Sequence, residues 1–185
     1  MRRWLWLALV ACLGVTAASA QTPPAVTATD GITVTPIVSG GAVSVSFAAG
    51  AAIGTDVRSL VESGLLVTVT FAIDLRKPAS VWWDRTVRSQ VVASTIKLDT
   101  LSGMYHVSRL HDGHVTWSDR TRDFTEARDW AGTFERIALA TPADLDSNGD
   151  YYIDVRMSAS PRRTFTLWPF GSDVRSGRAE FTFIR

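Results

Sequence analysis

Three histidines, an aspartate-rich loop and a set of tryptophans are the residues of this chain whose types and spacing could do chemistry. His111 and His114 flank Asp112-Gly113. A two-residue turn there needs positive φ at both positions, which Asp-Gly supplies, and it sets the two imidazoles opposite one another on one face of a hairpin. Such a cross-strand pair can bind a metal, but a complete site needs more ligands. His106 has the opposite parity to His111 and belongs to the other face of the sheet. Polar side chains at a solvated hairpin tip are the simpler account, and no metal is assigned. Asp144-x-Asp146-x-Asn148-Gly149-Asp150 has the spacing of the first half of a calcium loop. The position that should carry a bidentate Glu is Val155, and Tyr151 stands where an aliphatic residue is usual. The residues that follow alternate like a strand, so the expectation is an Asx-rich turn with Asn148-Gly149 as its tight bend.

Tryptophan and arginine offer recognition instead of catalysis. Adjacent strand residues face opposite ways, so of Trp82 and Trp83 one is expected in the core and the other at a surface or rim. Trp82, Trp83, Arg85, Trp117 and Trp168 form the candidate binding surface. An exposed Trp can stack on a sugar ring or anchor a protein partner, and Arg suits bidentate contact with carboxylates. Trp130 falls on an apolar helical stripe and reads as core. Acids are interspersed with arginines, as in Asp119-Arg120 and Arg122-Asp123, which predicts a salt-bridged surface; Arg162-Arg163 is too short for a basic patch. There is no G-x-S-x-G, H-E-x-x-H, Walker loop or G-x-G-x-x-G. A hydrolase would need scattered acids such as Asp84, Asp99 and Asp154 to converge, and nothing in the sequence places them. No catalytic residue and no cofactor is assigned, and the expectation is a non-enzyme.

The elements that must position these residues are mostly strands. Val43, Val45 and Phe47 alternate with small residues. From Leu65 to Arg76, Leu65, Val67, Val69, Phe71, Ile73 and Leu75 all fall on one face, which predicts a long strand buried on one side. Thr86 to Asp99 is a second long strand whose parity slips between Val91 and Val92, predicting a bulge there. Met104 to Leu110 and His114 to Ser118 are the arms of the Asp112-Gly113 hairpin. Tyr151, Ile153, Val155 and Met157 alternate, and Phe165 with Leu167 and Phe181 with Phe183 predict two C-terminal strands. Two segments read as helices. Thr55 to Ser63 is short, with Val57, Leu60 and Val61 on one side and Gly64 as its stop. Asp123 to Leu139 is longer, with Asp123 and Glu126 as a capping-box-like pair and Ala127, Trp130, Ala131, Phe134, Ile137 and Ala138 at helical spacing. Many antiparallel strands with one amphipathic and one short helix predict a mainly β, two-layer antiparallel β-sandwich-like domain.

The chain has 185 residues, 46% of them hydrophobic and 20% charged, with a formal net charge of +1. That is one domain with room for a core, too apolar for disorder and without the electrostatic footprint of a nucleic-acid binder. Its single cysteine excludes a disulfide within the chain. Residues 1–20 read as a secretory signal peptide: Arg2 and Arg3, an apolar run from Trp4 to Val15, then Ala18-Ser19-Ala20 as a small-residue cleavage site. The run is too short to span a membrane stably. Residues 21–30, with Pro23-Pro24, read as an extended leader, and 31–185 as a single β-rich domain. Leu9-Val10-Ala11-Cys12 offers a second reading, a lipobox that would anchor the protein through a lipidated Cys12. Either way the protein is expected to be exported, to the periplasm or cell envelope.

The order of landmarks then carries a resemblance. A strand, a short helix and Gly64 precede the long alternating strand and Trp82-Trp83-Asp84-Arg85. Leu98-Asp99-x-Leu101-x-x-x-Tyr105, a helix with Ala127, and Tyr151-Tyr152-x-x-Val155-Arg156 follow, and a Trp168 segment and Phe181-Thr182-Phe183 close it. From Gly31 to Arg185 this resembles the bacterial exported family catalogued as domain of unknown function 4390. Where relatives carry a Leu-Pro-rich segment and a Trp-Ser-Trp-like region, this chain has Ser160-Pro161-Arg162-Arg163 and Leu167-Trp168-Pro169-Phe170. The resemblance implies no activity and no catalytic residue. Through relatives encoded beside a membrane sensor kinase, it implies a role in envelope sensing or assembly. The expected function is non-enzymatic binding of an envelope or membrane protein; the alternative is a carbohydrate-binding module with Trp83 or Trp117 as its platform.

Overall fold

Apolar residues recur at every second position through most of the chain, and the strands follow them. The computed structural model describes residues 27–79, 83–161 and 174–184. In chain order these form β1 (Thr27–Thr29), β2 (Ile32–Ser39), β3 (Ala42–Ala48), α1 (Thr55–Glu62), β4 (Val67–Lys77), β5 (Arg85–Asp99), β6 (Met104–His111), β7 (His114–Thr121), α2 (Phe124–Gly132), β8 (Thr133–Ala140), β9 (Gly149–Pro161) and β10 (Arg175–Phe183). Every strand pair is antiparallel. A four-stranded sheet runs β1-β2-β3-β8, and a six-stranded sheet runs β10-β9-β4-β5-β6-β7.

The two sheets enclose one core, the two-layer β-sandwich-like arrangement that the alternation predicts. Ile32, Val34, Val43 and Val45 come from the smaller sheet, and Val67, Val69, Phe71, Ile73 and Leu75 from the centre of the larger; all are essentially inaccessible. Phe47 and Phe134 from one sheet meet Phe71 from the other, with ring centroids 5.1 to 5.4 Å apart. Offset and edge contacts of this kind add to the burial of three large rings. β1 takes in Thr27–Thr29 from the segment read as a leader, paired with Ile32–Val34. Residues 1–20 with Cys12, and the strand expected around Phe165 and Leu167, lie outside the described residues.

Both helices form. α1 buries Val57 and Val61, and Gly64 follows it at φ +84. In α2, Asp123 accepts a hydrogen bond from Thr125 N at 2.8 Å as N-cap. Glu126 turns instead to the Thr121 hydroxyl, so the reciprocal half of a capping box is not made.

Two expectations are corrected. The second helix ends at Gly132, not Leu139, and Thr133–Ala140 is strand β8. Glu135, Arg136, Ala138 and Leu139 are good helix formers, but β8 pairs with β3, from Thr133 opposite Ala48 to Ala140 opposite Val43. Five paired positions on a sheet edge outweigh the few tenths of a kcal/mol per residue that propensity offers. The pairing is irregular, with Arg136 at φ +51, so the strand shows no clean alternation. The bulge in β5 sits at Val87, between the Leu75–Arg88 and Arg76–Thr86 pairs; Val91 and Val92 pair without a break. Both valines are apolar because they serve opposite faces: Val92 is in the core, while Val91 is 51% exposed.

Candidate functional site

The connection from β4 to β5 carries Trp83, Arg85 opens β5, and the outer face of the larger sheet holds the connection in place. Trp83 is 89% exposed and stands in the connection, outside any strand, so strand parity does not govern it. Trp82, beside it, lies outside the described residues. Next to Trp83, Asp84 accepts from Ala79 N at 3.2 Å through Oδ1 and from the Tyr152 hydroxyl at 2.5 Å through Oδ2. Tyr152 is itself buried beneath Arg178, whose guanidinium carbon lies 3.6 Å from the ring centroid. These bonds hold the Asp84 carboxyl below its ordinary range, the Tyr152 hydroxyl first and the Ala79 amide second. Burial, and then the charge-assisted bond to Asp84, push the Tyr152 phenol up. Asp84 is therefore an anchor in its ionised form. Tyr152→Phe removes that anchor; the expected result is faster hydrogen exchange at Ala79 N and lower Trp83 fluorescence anisotropy, with about 1 kcal/mol of stability lost. Unchanged exchange and anisotropy would show that the connection is held by something else.

Beneath this connection lies an ion network that sequence reading did not find. On the outer face, Asp74 of β4 stands directly opposite Asp154 of β9. Like charges in that relation repel. Arg156 bridges them, with Nη2 on Asp74 Oδ2 at 2.5 Å and Nε 3.4 Å from Asp154 Oδ2. Arg76 Nη2 adds a bond to Asp74 Oδ2 at 3.1 Å, and the Ser89 hydroxyl donates to Oδ1 at 2.6 Å. Asp74 is only 4% exposed. Burial by itself would raise its pKa, but the Ser89 and Arg76 bonds and the Arg156 charge outweigh it and hold the carboxyl below the ordinary value. With Asp74 and Asp84 both held ionised, neither is poised as a general acid near neutrality.

Trp117 occupies a different place. It lies on β7 opposite Arg109, which is opposite Ser94 of β5; Arg85 is further along β5 by about 30 Å at ~3.3 Å per residue. Trp83 and Arg85 are near one another by sequence, and the structure does not bring Trp117 to them. Trp168 lies outside the described residues. Trp117 meets Trp130 edge to face at 5.6 Å and has the Arg109 guanidinium over its ring at 4.6 Å. The ring is thus engaged within the protein. Trp130 is half-buried against the core and not inside it. Arg109, which sequence reading missed, donates from Nε to the Trp130 carbonyl at 3.0 Å. Ser94 Oγ donates to the Ala131 carbonyl at 2.7 Å, and Ala49 N to that of Gly132 at 2.9 Å. The three last carbonyls of α2, left without helical partners, are thus each satisfied, and the cation sits at the negative end of the helix.

The remaining expected groups fall as follows. His111 is opposite His114, as the turn predicts, with Asp112 at φ +50 and Gly113 at φ +78. His111 Nε2 lies 2.6 Å from Gln90 Nε2, and His106 is on the other face. Asn148, at φ +58, makes the bend before β9. Asp144 caps Thr141, Asp146 takes Lys77 Nζ at 2.7 Å, and Asp150 accepts from Thr182 at 2.8 Å, so the carboxylates of that loop are engaged separately. Among the described residues no three His, Cys, Asp or Glu side chains are close enough to hold a metal ion. Asp84 and Asp99 lie at opposite ends of β5 and do not meet. Among the described residues no helix is long and apolar enough to cross a membrane.

A family model described as a domain of unknown function, DUF4390, matches residues 30–163. No curated protein and no solved structure matches the chain.

Proposed function

The chain belongs to the DUF4390 family, a domain of unknown function, and from that premise we propose that it is an exported, non-enzymatic protein-binding domain of the cell envelope. The observation that carries this reading is Trp83, 89% exposed on a connection anchored through Asp84 to the sheet. A large aromatic side chain held out in water costs solvation free energy, which a partner recovers on contact. Trp and Arg are among the residues most enriched where binding energy is concentrated at protein interfaces, and Arg85 is two residues on. Residues 1–20, with their basic start, apolar run and Ala18-Ser19-Ala20, support export. The link of relatives to membrane sensor kinases supports a membrane protein of such a system as the partner.

The test places a photoreactive residue at position 83, with a second at exposed Val38 on the smaller sheet as control, and cross-links in the intact envelope. A protein joined from 83 and not from 38 is expected. Trp83→Ala should weaken that association by about tenfold or more, with thermal stability unchanged because the side chain touches little. Recovery of the chain alone from both positions would sink the reading. The N-terminus of the recovered protein, Gln21 or lipidated Cys12, decides between cleaved and anchored forms.

The same exposed ring favours a second reading, stacking on envelope glycans. Trp117 no longer supports it, since Arg109 and Trp130 occupy that ring. Quenching of Trp fluorescence by cell-wall polysaccharide, abolished by Trp83→Ala, would favour it over a protein partner.

A further inference from the structure

Lys97, His106 and Arg120 stand side by side in one row across β5, β6 and β7. Lys97 is directly opposite His106, and His106 is directly opposite Arg120. All three are exposed, while their chain neighbours Ile96, Tyr105, Val107 and Thr121 are buried on the inner side. The row therefore lies on the outer face, far along β5 from Trp83. Lys97 and Arg120 are fixed cations two strands apart, at about 10 Å, with His106 between them. Elsewhere on this face Arg156 and Arg76 are matched by Asp74 and Asp154. Among the described residues, Lys97 and Arg120 make no ion pair. Asp99 is the acid nearest the row on this face, and its oxygens are taken by Leu101 N at 3.0 Å and Ser102 Oγ at 2.6 Å in its own turn. Asp119 is opposite buried Val107 and belongs to the other face.

The next row along the strands is Thr95, Ser108 and Ser118, with Ser108 Oγ donating to Ser118 Oγ at 3.1 Å. An open hollow of about 540 Å³ runs over this ground; Lys97, His106, Thr95 and Ser108 line it together with Gly64 and Leu66, and the Asp99 turn closes one end. Small hydroxyl side chains leave space for a backbone to approach, and the cations stand at its margin.

We infer that this row is a docking surface for an acidic helix of a partner protein. Neighbouring strands are about 4.8 Å apart, so the row spans about 10 Å. Carboxylates at i, i+4 and i+7 on a helix are spaced about 5–6 Å apart, and a helix lying across the strands sets one over each position of the row. An extended strand repeats its side chains on one face at about 6.7 Å and falls out of step. The partner's carboxylates pair with Lys97 and Arg120, and the Thr95 and Ser118 hydroxyls donate to oxygens that those cations leave free. This surface is separate from Trp83 and does not rest on it.

The test titrates an alanine-based helical peptide of about 18 residues, with Glu every third or fourth position on one face, into the full chain, following backbone amide shifts. The same peptide with Gln for Glu is the control. Expected are shifts concentrated at Lys97, His106, Arg120 and the hydroxyl row, and a Kd at least about tenfold weaker in Lys97→Glu/Arg120→Glu. A comparable loss is expected on raising salt from about 0.05 to about 0.3 M. Lys97→Gln, a milder change, should weaken binding in the same direction and serves should the double reversal fail to fold. An equal response to the Gln peptide overturns the inference, as do shifts centred elsewhere or no binding at millimolar peptide. Inorganic phosphate or phosphatidylglycerol vesicles that shift the same amides as strongly, with the same sensitivity to the substitutions, overturn the choice of a helix. Failure on any of these counts leaves the cross-linking result at position 83 untouched.

Discussion

Asp74→Ala is expected to lower stability by about 3 kcal/mol, the lower end of the cost of removing one partner from a buried ion pair. For a domain of this size that is a drop in Tm of about 6–12 °C. The carboxylate is nearly inaccessible and accepts from Ser89, Arg76 and Arg156. Its loss strands two guanidinium groups over the sheet face and leaves Asp154 to Arg156 alone. Both arginines reach solvent in part, with side chains 32% and 44% exposed, and water screens what remains; that sets the lower end of the range. The effect is pH-dependent with a definite sign. The folded Asp74 carboxyl lies below its ordinary value, so its contribution is complete above the unfolded pKa of about 3.9. The contribution is lost as pH falls through the folded value. Asp74→Asn should therefore melt well below the wild type at pH 7 and approach it as the pH falls through the folded value. A constant gap in Tm across that titration, or an Asp74→Ala protein as stable as the wild type, would show that the network contributes nothing.

Gly132→Ala should cost about 3 kcal/mol, at the upper end of what overpacking does. Gly132 closes α2 where the chain turns directly into β8. A Cβ there would stand 2.5 Å from Gly50 N, 2.8 Å from Ala49 C and 2.9 Å from Gly50 Cα. These are backbone atoms, and no side-chain rotamer can relieve them. Separating the two segments also breaks the Ala49 N to Gly132 carbonyl bond of 2.9 Å. Gly64→Ala is the matched comparison. Gly64 sits at φ +84 with nothing within 4 Å of a built Cβ, so that substitution meets backbone strain alone, about 1 kcal/mol. Urea unfolding of both variants distinguishes the two causes. A Gly132→Ala protein no less stable than Gly64→Ala would mean that the close approach of α2 to Ala49-Gly50 does not limit packing.

Much of the scaffold was legible before the fold was known. The run from Val67 to Leu75 declares its buried face at every second residue, and the strand, its parity and its place inside a sandwich follow. The Asp112-Gly113 hairpin and the register of His111 against His114 follow from two residues at the turn. The start of α2 was legible in Asp123; its end was not, because Thr133–Ala140 lacks a stop signal and becomes a strand only when β3 pairs with it. Val91-Val92 looked like a break because two apolar neighbours served two different surfaces, while the true bulge at Val87 left no mark in the pattern.

The candidate site was legible only at its tip. Trp83 and Arg85 stand out by residue type. Nothing local marks Asp74, one acid on the polar phase of a strand, as the centre of a network whose main cation, Arg156, is 82 positions away. The same holds for Arg109 at the end of α2, and for Lys97, His106 and Arg120, which become neighbours only when three strands align. Alternation and turn chemistry act between residues a few positions apart, so the sequence by itself determined which segments are extended and which face each buries. Charge compensation, and its absence, depend on which distant strands lie side by side. That was decided by the tertiary structure, because a carboxylate or guanidinium is stabilised by whatever stands within about 4 Å of it in space.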